Sequence, residues 1–431
     1  MLTNRPKRSC YTCGNLKGPL TPCPSCSAVQ YCSDPHSSQD SKRHAYKCAR
    51  IQLLRDLIRL IDDASHESEG LDDDELQETT RIQIARIFAS SSGHLPSDLG
   101  VLIRQVLIVT YLDVNTELSL LLSLDTIKQV HGLLSRRWIS EVEDGPFHRL
   151  EHQPWKRIDR AYILATTAMV RLGMDEQCYR YIRTLGQFRG RCVEEKLITM
   201  DGVLGWKRVF DTERGLGGEG YDAFTDLKEW VFWNQIPRPC YIVPIIILVH
   251  WWITDLEELA KAQEVGKALA RRLNEDVVEV IKVFVLDTEV VRKRKELLRR
   301  DNSDLIAGLQ RQREYFLKIS CFQNPDFWRR VANAARTEDF GWPILSRRKV
   351  VPGSRVADMD IEELEALYPL VKNTPGLLEY IAGFFQKEKA FERFINGFNG
   401  LDRIIVWQNV GRLSDARDES LQGNKSREET V

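Results

Sequence analysis

The chain has 431 residues, 43 % hydrophobic and 29 % charged, which is material for two or three globular cores. The longest apolar run, Tyr241 to Trp252, falls short of the roughly 18 residues a membrane span needs and holds Pro244 and His250. No charged-then-apolar leader opens the chain, so a soluble intracellular protein of cytoplasm or nucleus is expected.

Net charge is −1 but unevenly spread: residues 1–50 hold eight Lys/Arg against two acidic residues, +6, leaving −7 for the rest. Six of the ten cysteines also precede residue 50. In a reducing compartment such a cluster points to metal rather than disulfides. The donors fall into four pairs: Cys10-x2-Cys13, Cys23-x2-Cys26, Cys32-x3-His36 and His44-x3-Cys48. A two-residue gap lets a tight turn aim both thiolates at one ion. A three-residue gap puts donors one helical turn apart on one face. Eight donors complete two closed tetrahedral zinc sites with no position left for water, a structural pattern rather than a catalytic one. Two zinc ions with six thiolates add about −2, which leaves this segment only modestly basic and argues against nucleic acid as a partner.

The stretch from Cys10 to Cys48, above all Val29-Gln30-Tyr31-Cys32-Ser33 and the closing His44-x3-Cys48, resembles a MYND zinc finger. The resemblance implies interleaved sites, Cys10, Cys13, Cys32 and His36 on one ion and Cys23, Cys26, His44 and Cys48 on the other. Spacing alone leaves sequential pairing open. His36 stands where the family usually has cysteine, giving a Cys3His site. Ser37 and Ser41 stand where it tends to carry Gln and Trp. Some MYND fingers dock proline-containing peptides against that Trp, so a protein partner is implied, with Tyr46 or Tyr31 as the replacement apolar wall. With few large apolar residues, the finger takes its folding energy from metal.

Past Arg50 the pattern turns helical, beginning with Ile51, Leu54, Leu57, Ile58 and Ile61. Asp62 to Glu78 reads as an acidic loop. Helix-period segments follow near 81–89, 100–136, 158–187, 223–234, 255–300, 303–322, 360–371 and 376–396. Ala161 to Leu185 resembles a tetratricopeptide-type hairpin, turning at Arg171-Leu172-Gly173 and packing through Cys178, Tyr181, Ile182 and Leu185. No 34-residue period recurs, so irregular hairpins or a solenoid-like array are expected. Cys178, Cys192, Cys240 and Cys321 read as small buried residues, and the tryptophans, including Trp230/Trp233 and Trp251/Trp252, as core. The basic run 292–300 reads as a solvated helix face, with nuclear import as its other reading, and a second basic cluster spans 347–349.

Three catalytic patterns carry little. A SET methyltransferase needs cofactor-binding sequence ahead of the finger, where nine residues stand, and no Asn-His pair of its active-site kind is present. His148-x2-Glu151-His152 fits an inverted zinc peptidase motif, but Pro146 and Pro154 bracket it and limit any helix to about two turns. Gly215-x-Gly217-x2-Gly220 follows Asp211-Thr212-Glu213-Arg214, which is no buried strand.

The expected protein is therefore mainly α and not an enzyme. A small cross-brace double-zinc finger occupies 1–50, an irregular all-α domain 51–410 and a disordered tail 411–431. The expected role is a zinc-binding interaction adaptor. A nuclear regulator recruiting a corepressor, and a hydrolase using His148, Glu151 and His152, are the alternatives.

Overall fold

The computed structural model describes residues 7–67, 99–144, 153–183, 224, 239–269, 272, 274–323, 328, 331 and 361–387. Among the described residues the protein is mostly helical, and its strands are two short ones at the N-terminus. The chain divides into two compact units, 1–236 with 243–313, and 237–242 with 314–431. No helix among the described residues is long and apolar enough to cross a membrane.

In the first unit β1 (Thr21–Pro22) pairs antiparallel with β2 (Gln30–Tyr31), Thr21 opposite Tyr31. The chain then enters α1, Asp34–Glu67. Asp34 favours a helix start because a carboxylate there meets the positive end of the helix dipole, and Pro35 is tolerated because first-turn N–H groups have no helical partner. The expected boundary at residue 50 falls inside this helix. The acidic stretch needs a correction: 62–67 are helical, a continuation of α1, while 68–78 lie outside the described residues.

The expected segment 100–136 is two helices, α2 (Leu99–Val114) and α3 (Glu117–Asp144). Asn115 breaks it in the left-handed region, φ 55°. Thr116 then caps α3: its Oγ1 accepts the Ser119 N–H at 3.0 Å while Ser119 Oγ accepts the Thr116 N–H at 2.9 Å. α4 (Gln153–Leu172) ends at Gly173, φ 71°, where the Met174 N–H reaches back to the Met169 carbonyl, a Schellman end. The chain turns there into a helical segment, 175–183, in which Cys178, Tyr181 and Ile182 are buried. α1 packs on α2, α2 on α3 and α3 on α4.

The apolar run Tyr241 to Trp252, to which the periodicity assigned no element, lies in the first half of α5, Pro239–Leu269, with Pro244 inside it. From Ile242 to Ile253 nearly every side chain is buried, and a helix apolar all round shows no periodicity to read. The helix expected to continue to 300 is interrupted instead. α6 (Glu275–Phe284), α7 (Glu289–Arg292), a 3-10 turn (Lys295–Leu298) and α8 (Ser303–Gln323) follow. Two buried carboxylates hold the interruption: Asp255 accepts the N–H groups of Asp287 and Thr288, and Asp175 those of Glu289 and Val290. The run 292–300 is not one helix but the end of α7, the 3-10 turn and the residues around it, and its Arg292, Lys293, Lys295, Arg299 and Arg300 are exposed. Lys293 pairs with Glu176 and Glu289, Arg299 pairs with Glu279, and Arg294 lies 4.4 Å from the Phe224 ring centre.

In the second unit α9 (Ile361–Asn373) packs on α10 (Leu377–Lys387) across Gly376, φ 74°. Trp328 is buried and its Nε1–H donates to Ser320 Oγ at 2.7 Å. Trp251, Trp252, Cys178 and Cys321 are buried too. Outside the described residues lie His148, Glu151 and His152, the Gly215–Gly220 pattern, Leu185, Trp230 and Trp233, Cys192, the segments 81–89, 223–234 apart from Phe224, and 347–349, and the tail 411–431; the Cys240 side chain is also undescribed.

Candidate metal centre

The two cysteine knuckles are built alike. In each, the residue after the second cysteine turns left-handed, Gly14 at φ 71° and Ser27 at φ 54°. Its N–H then closes on the first cysteine's carbonyl, Gly14 to Cys10 at 2.8 Å and Ser27 to Cys23 at 2.9 Å. That turn leaves both sulfurs on one side. The Ala28 N–H also lies 3.4 Å from Cys26 Sγ. The other two pairs, Cys32/His36 and His44/Cys48, flank and occupy the start of α1, where i and i+4 share a face.

Folding brings the eight donors into two groups: Cys10, Cys13, Cys32 and His36, and Cys23, Cys26, His44 and Cys48. In each group the ligand atoms all lie within 4.8 Å of one another. The first group has Cys13 Sγ 3.8 Å from Cys32 Sγ, and His36 Nδ1 3.7 Å from Cys10 Sγ and 3.1 Å from Cys32 Sγ. The second has Cys23 Sγ 3.8 Å from Cys48 Sγ, and Cys26 Sγ 3.1 Å from His44 Nε2. A tetrahedral zinc site has S–S edges of about 3.8 Å and S–N edges of about 3.6 Å, given Zn–S and Zn–N bonds of about 2.3 and 2.05 Å. The grouping is the interleaved one, and both Cys3His clusters fit a zinc ion in size and chemistry.

Residues 10–48 match the MYND finger family. This segment is a MYND finger. The MYND finger is a zinc-binding, protein-interaction module and not a catalytic one. No curated protein and no solved structure matches the chain.

Local electrostatics suit metal. Burial works against the Cys10 thiolate, yet hydrogen bonds from the Cys13, Cys32 and Thr12 backbone bring its pKa down to about 6. Burial pushes Cys26 up to about 12, so a thiolate there needs a cation beside it. Burial also lowers His44, which keeps the imidazole neutral and its lone pair available.

Further residues support the MYND finger beyond its ligands. Asp40 is buried and joins β2 to α1, accepting from Tyr31 Oη at 2.9 Å and from Arg43 Nε at 2.7 Å. Tyr11 sets its ring edge-on to His44 and carries the Arg43 guanidinium 5.3 Å from its centre. Below the finger, Cys10, Cys23, Cys26, Ala28, Val29 and Tyr31 share one apolar core with Leu57 of α1 and Leu107 and Tyr111 of α2. Thr116 Oγ1 donates to the Ala28 carbonyl at 2.6 Å, and Lys47 Nζ donates to the Asp113 carbonyl at 2.8 Å. Sequence reading passed over Asp40 and Thr116. An acidic residue four positions from both His36 and His44, in register with the donor pairs, was a signal for the first, and Asn-Thr before a Glu was one for the second.

Of the two tyrosines expected to replace the missing Trp, Tyr31 is corrected: it is 4 % exposed, with its hydroxyl committed to Asp40. Tyr46 is 74 % exposed. It projects from α1 between His44 and Cys48, and Leu53, one heptad on along the same face, is exposed as well.

Proposed function

We propose that this chain is a zinc-stabilised interaction adaptor, with no catalytic role, whose MYND finger docks a proline-containing segment of a protein partner. Cys10, Cys13, Cys32 and His36 hold one zinc ion, and Cys23, Cys26, His44 and Cys48 hold the other. The ions fix α1 against the knuckles and so present Tyr46 in a rigid frame. The helical region, 51–410, carries the finger and supplies a second contact surface, and 411–431 is a tail outside both.

The observation that supports this reading most is the exposure of Tyr46 between two ligands. A large aromatic ring there adds apolar area at low entropy cost, because metal has already ordered its backbone. Proline-rich segments suit such a wall since their extended helix is ordered before binding.

The test is a fluorescence-anisotropy titration of labelled proline-containing peptides with the full-length chain and with Tyr46→Ala. At least one peptide is expected to bind, with affinity about tenfold weaker in Tyr46→Ala, the scale of an aromatic anchor. Absence of binding across a broad peptide panel, or equal affinity in the variant, overturns the docking role.

A further inference from the structure

The two metal clusters sit in unlike surroundings. In the first, Cys13 is exposed, Cys32 and His36 are half-buried, and only Cys10 is buried. In the second, Cys23, Cys26 and His44 are buried, with Cys26 at 0 % exposure, and Cys48 is half-buried. Both groups meet the core that holds Ile51, Leu54, Leu57, Ile103, Leu107 and Tyr111, the first through Cys10 and Cys32; the second meets it through Cys23, Cys26 and Cys48 and is tied further to the helices. Two bonds flank it, Thr116 Oγ1 to the Ala28 carbonyl and Lys47 Nζ to the Asp113 carbonyl. Both reach the end of α2 or its turn into α3, and Arg171 Nη1 also donates there to the Leu112 carbonyl at 2.7 Å.

We infer that the two zinc ions have separate roles: the first is an exchangeable ion that shapes the outer edge of the finger, and the second is a keystone of the helical unit formed by α1, α2 and α3. This rests on the ligand assignment proposed above. A chelator can approach the first ion through exposed Cys13 while Cys10 and Cys32 stay against the core. To reach the second it must wait for the finger to part from α2, which exposes apolar core and frees the Thr116 and Lys47 bonds. Release of the second ion is therefore a sub-global opening event, and release of the first is local. The arrangement lets metal supply change the finger's outer surface while the helical scaffold stays folded.

Timed chelation of the intact wild-type chain tests this, with zinc release read by a colorimetric chelator and amide hydrogen exchange read in parallel by mass spectrometry. A starting content of two zinc per chain is the check on the ligand assignment, and a different content defeats that reading together with this one. With two present, release is expected in two phases of equal amplitude, the slow one at least about tenfold slower. Protection in 101–114 is expected to survive the fast phase and to be lost with the slow one. In Cys13→Ser the remaining zinc is expected to leave only in the slow phase. A single phase for both ions, or slow release with 101–114 still protected, overturns the division of roles while leaving the two-zinc finger standing.

Discussion

Single side chains decide whether the finger closes. His36 presents Nδ1 to the first group, and a thiolate at that position reaches the same ion, so His36→Cys is expected to keep two zinc per chain while His36→Ala drops to one by metal analysis. Asp40 is a different case, because it touches the metal groups only through its neighbours. Tyr31→Phe removes one hydrogen bond and is expected to cost about 1 kcal/mol, whereas Asp40→Ala strands Tyr31 Oη and releases Arg43 and is expected to cost about 2–3 kcal/mol, by urea unfolding. Ser27 adopts the left-handed backbone that Gly14 occupies in the other knuckle. Ser27→Gly is thus expected to be neutral or to stabilise by up to about 1 kcal/mol in the same measurement; a clear loss there contradicts the equivalence of the two turns.

Between elements, the α2–α3 turn and the buried histidine of α3 matter most. Thr116 both caps α3 and bonds the finger, so Thr116→Val is expected to cost about 2 kcal/mol, at the upper end for a cap residue, and an effect below about 0.5 kcal/mol removes it as a link. His131 is buried beside Tyr181, 2.8 Å from Nε2 to Oη, and burial pulls its pKa from 6.5 down to about 3. Because the unfolded chain takes up this proton and the folded chain does not, the contribution is intact above pH 6.5 and is lost as pH falls from there toward 3. At pH 5 the loss is about 2 kcal/mol relative to pH 7.5; it is expected to be absent in His131→Phe, so that by urea unfolding it shows as the pH dependence of the stability difference between wild type and variant. The helices themselves were readable where polar and apolar residues alternate at helical period, as in α8 and the start of α9. They were not readable where that contrast fails. The uniformly apolar start of α5 has no polar face, and the break after α6 is made by Asp175 and Asp255, partners distant in sequence whose pairing no local pattern carries.

Across the molecule, the eight donors that the fold gathers were readable because zinc imposes short fixed spacings. Their grouping was not legible from spacing, since either pairing satisfies it; the family resemblance implied the interleaved one, and the fold of β1, β2 and α1 brings the donors together that way. The shared core of finger and helices was equally hidden: Ile51 and Leu57 announce a buried face, and nothing local says that Cys23 and Cys26 lie against it. A finger welded to its neighbours in this way gives zinc a reach beyond fifty residues. Cys23→Ser, which breaks the second group, is accordingly expected to lower the thermal midpoint of the helical signal as well as the metal content, and an unchanged midpoint contradicts the shared core. The two-ion centre itself is tested most directly by native mass spectrometry of the purified full-length chain. Two zinc ions per chain are expected, falling to one in Cys13→Ser; none or one in the wild type contradicts it.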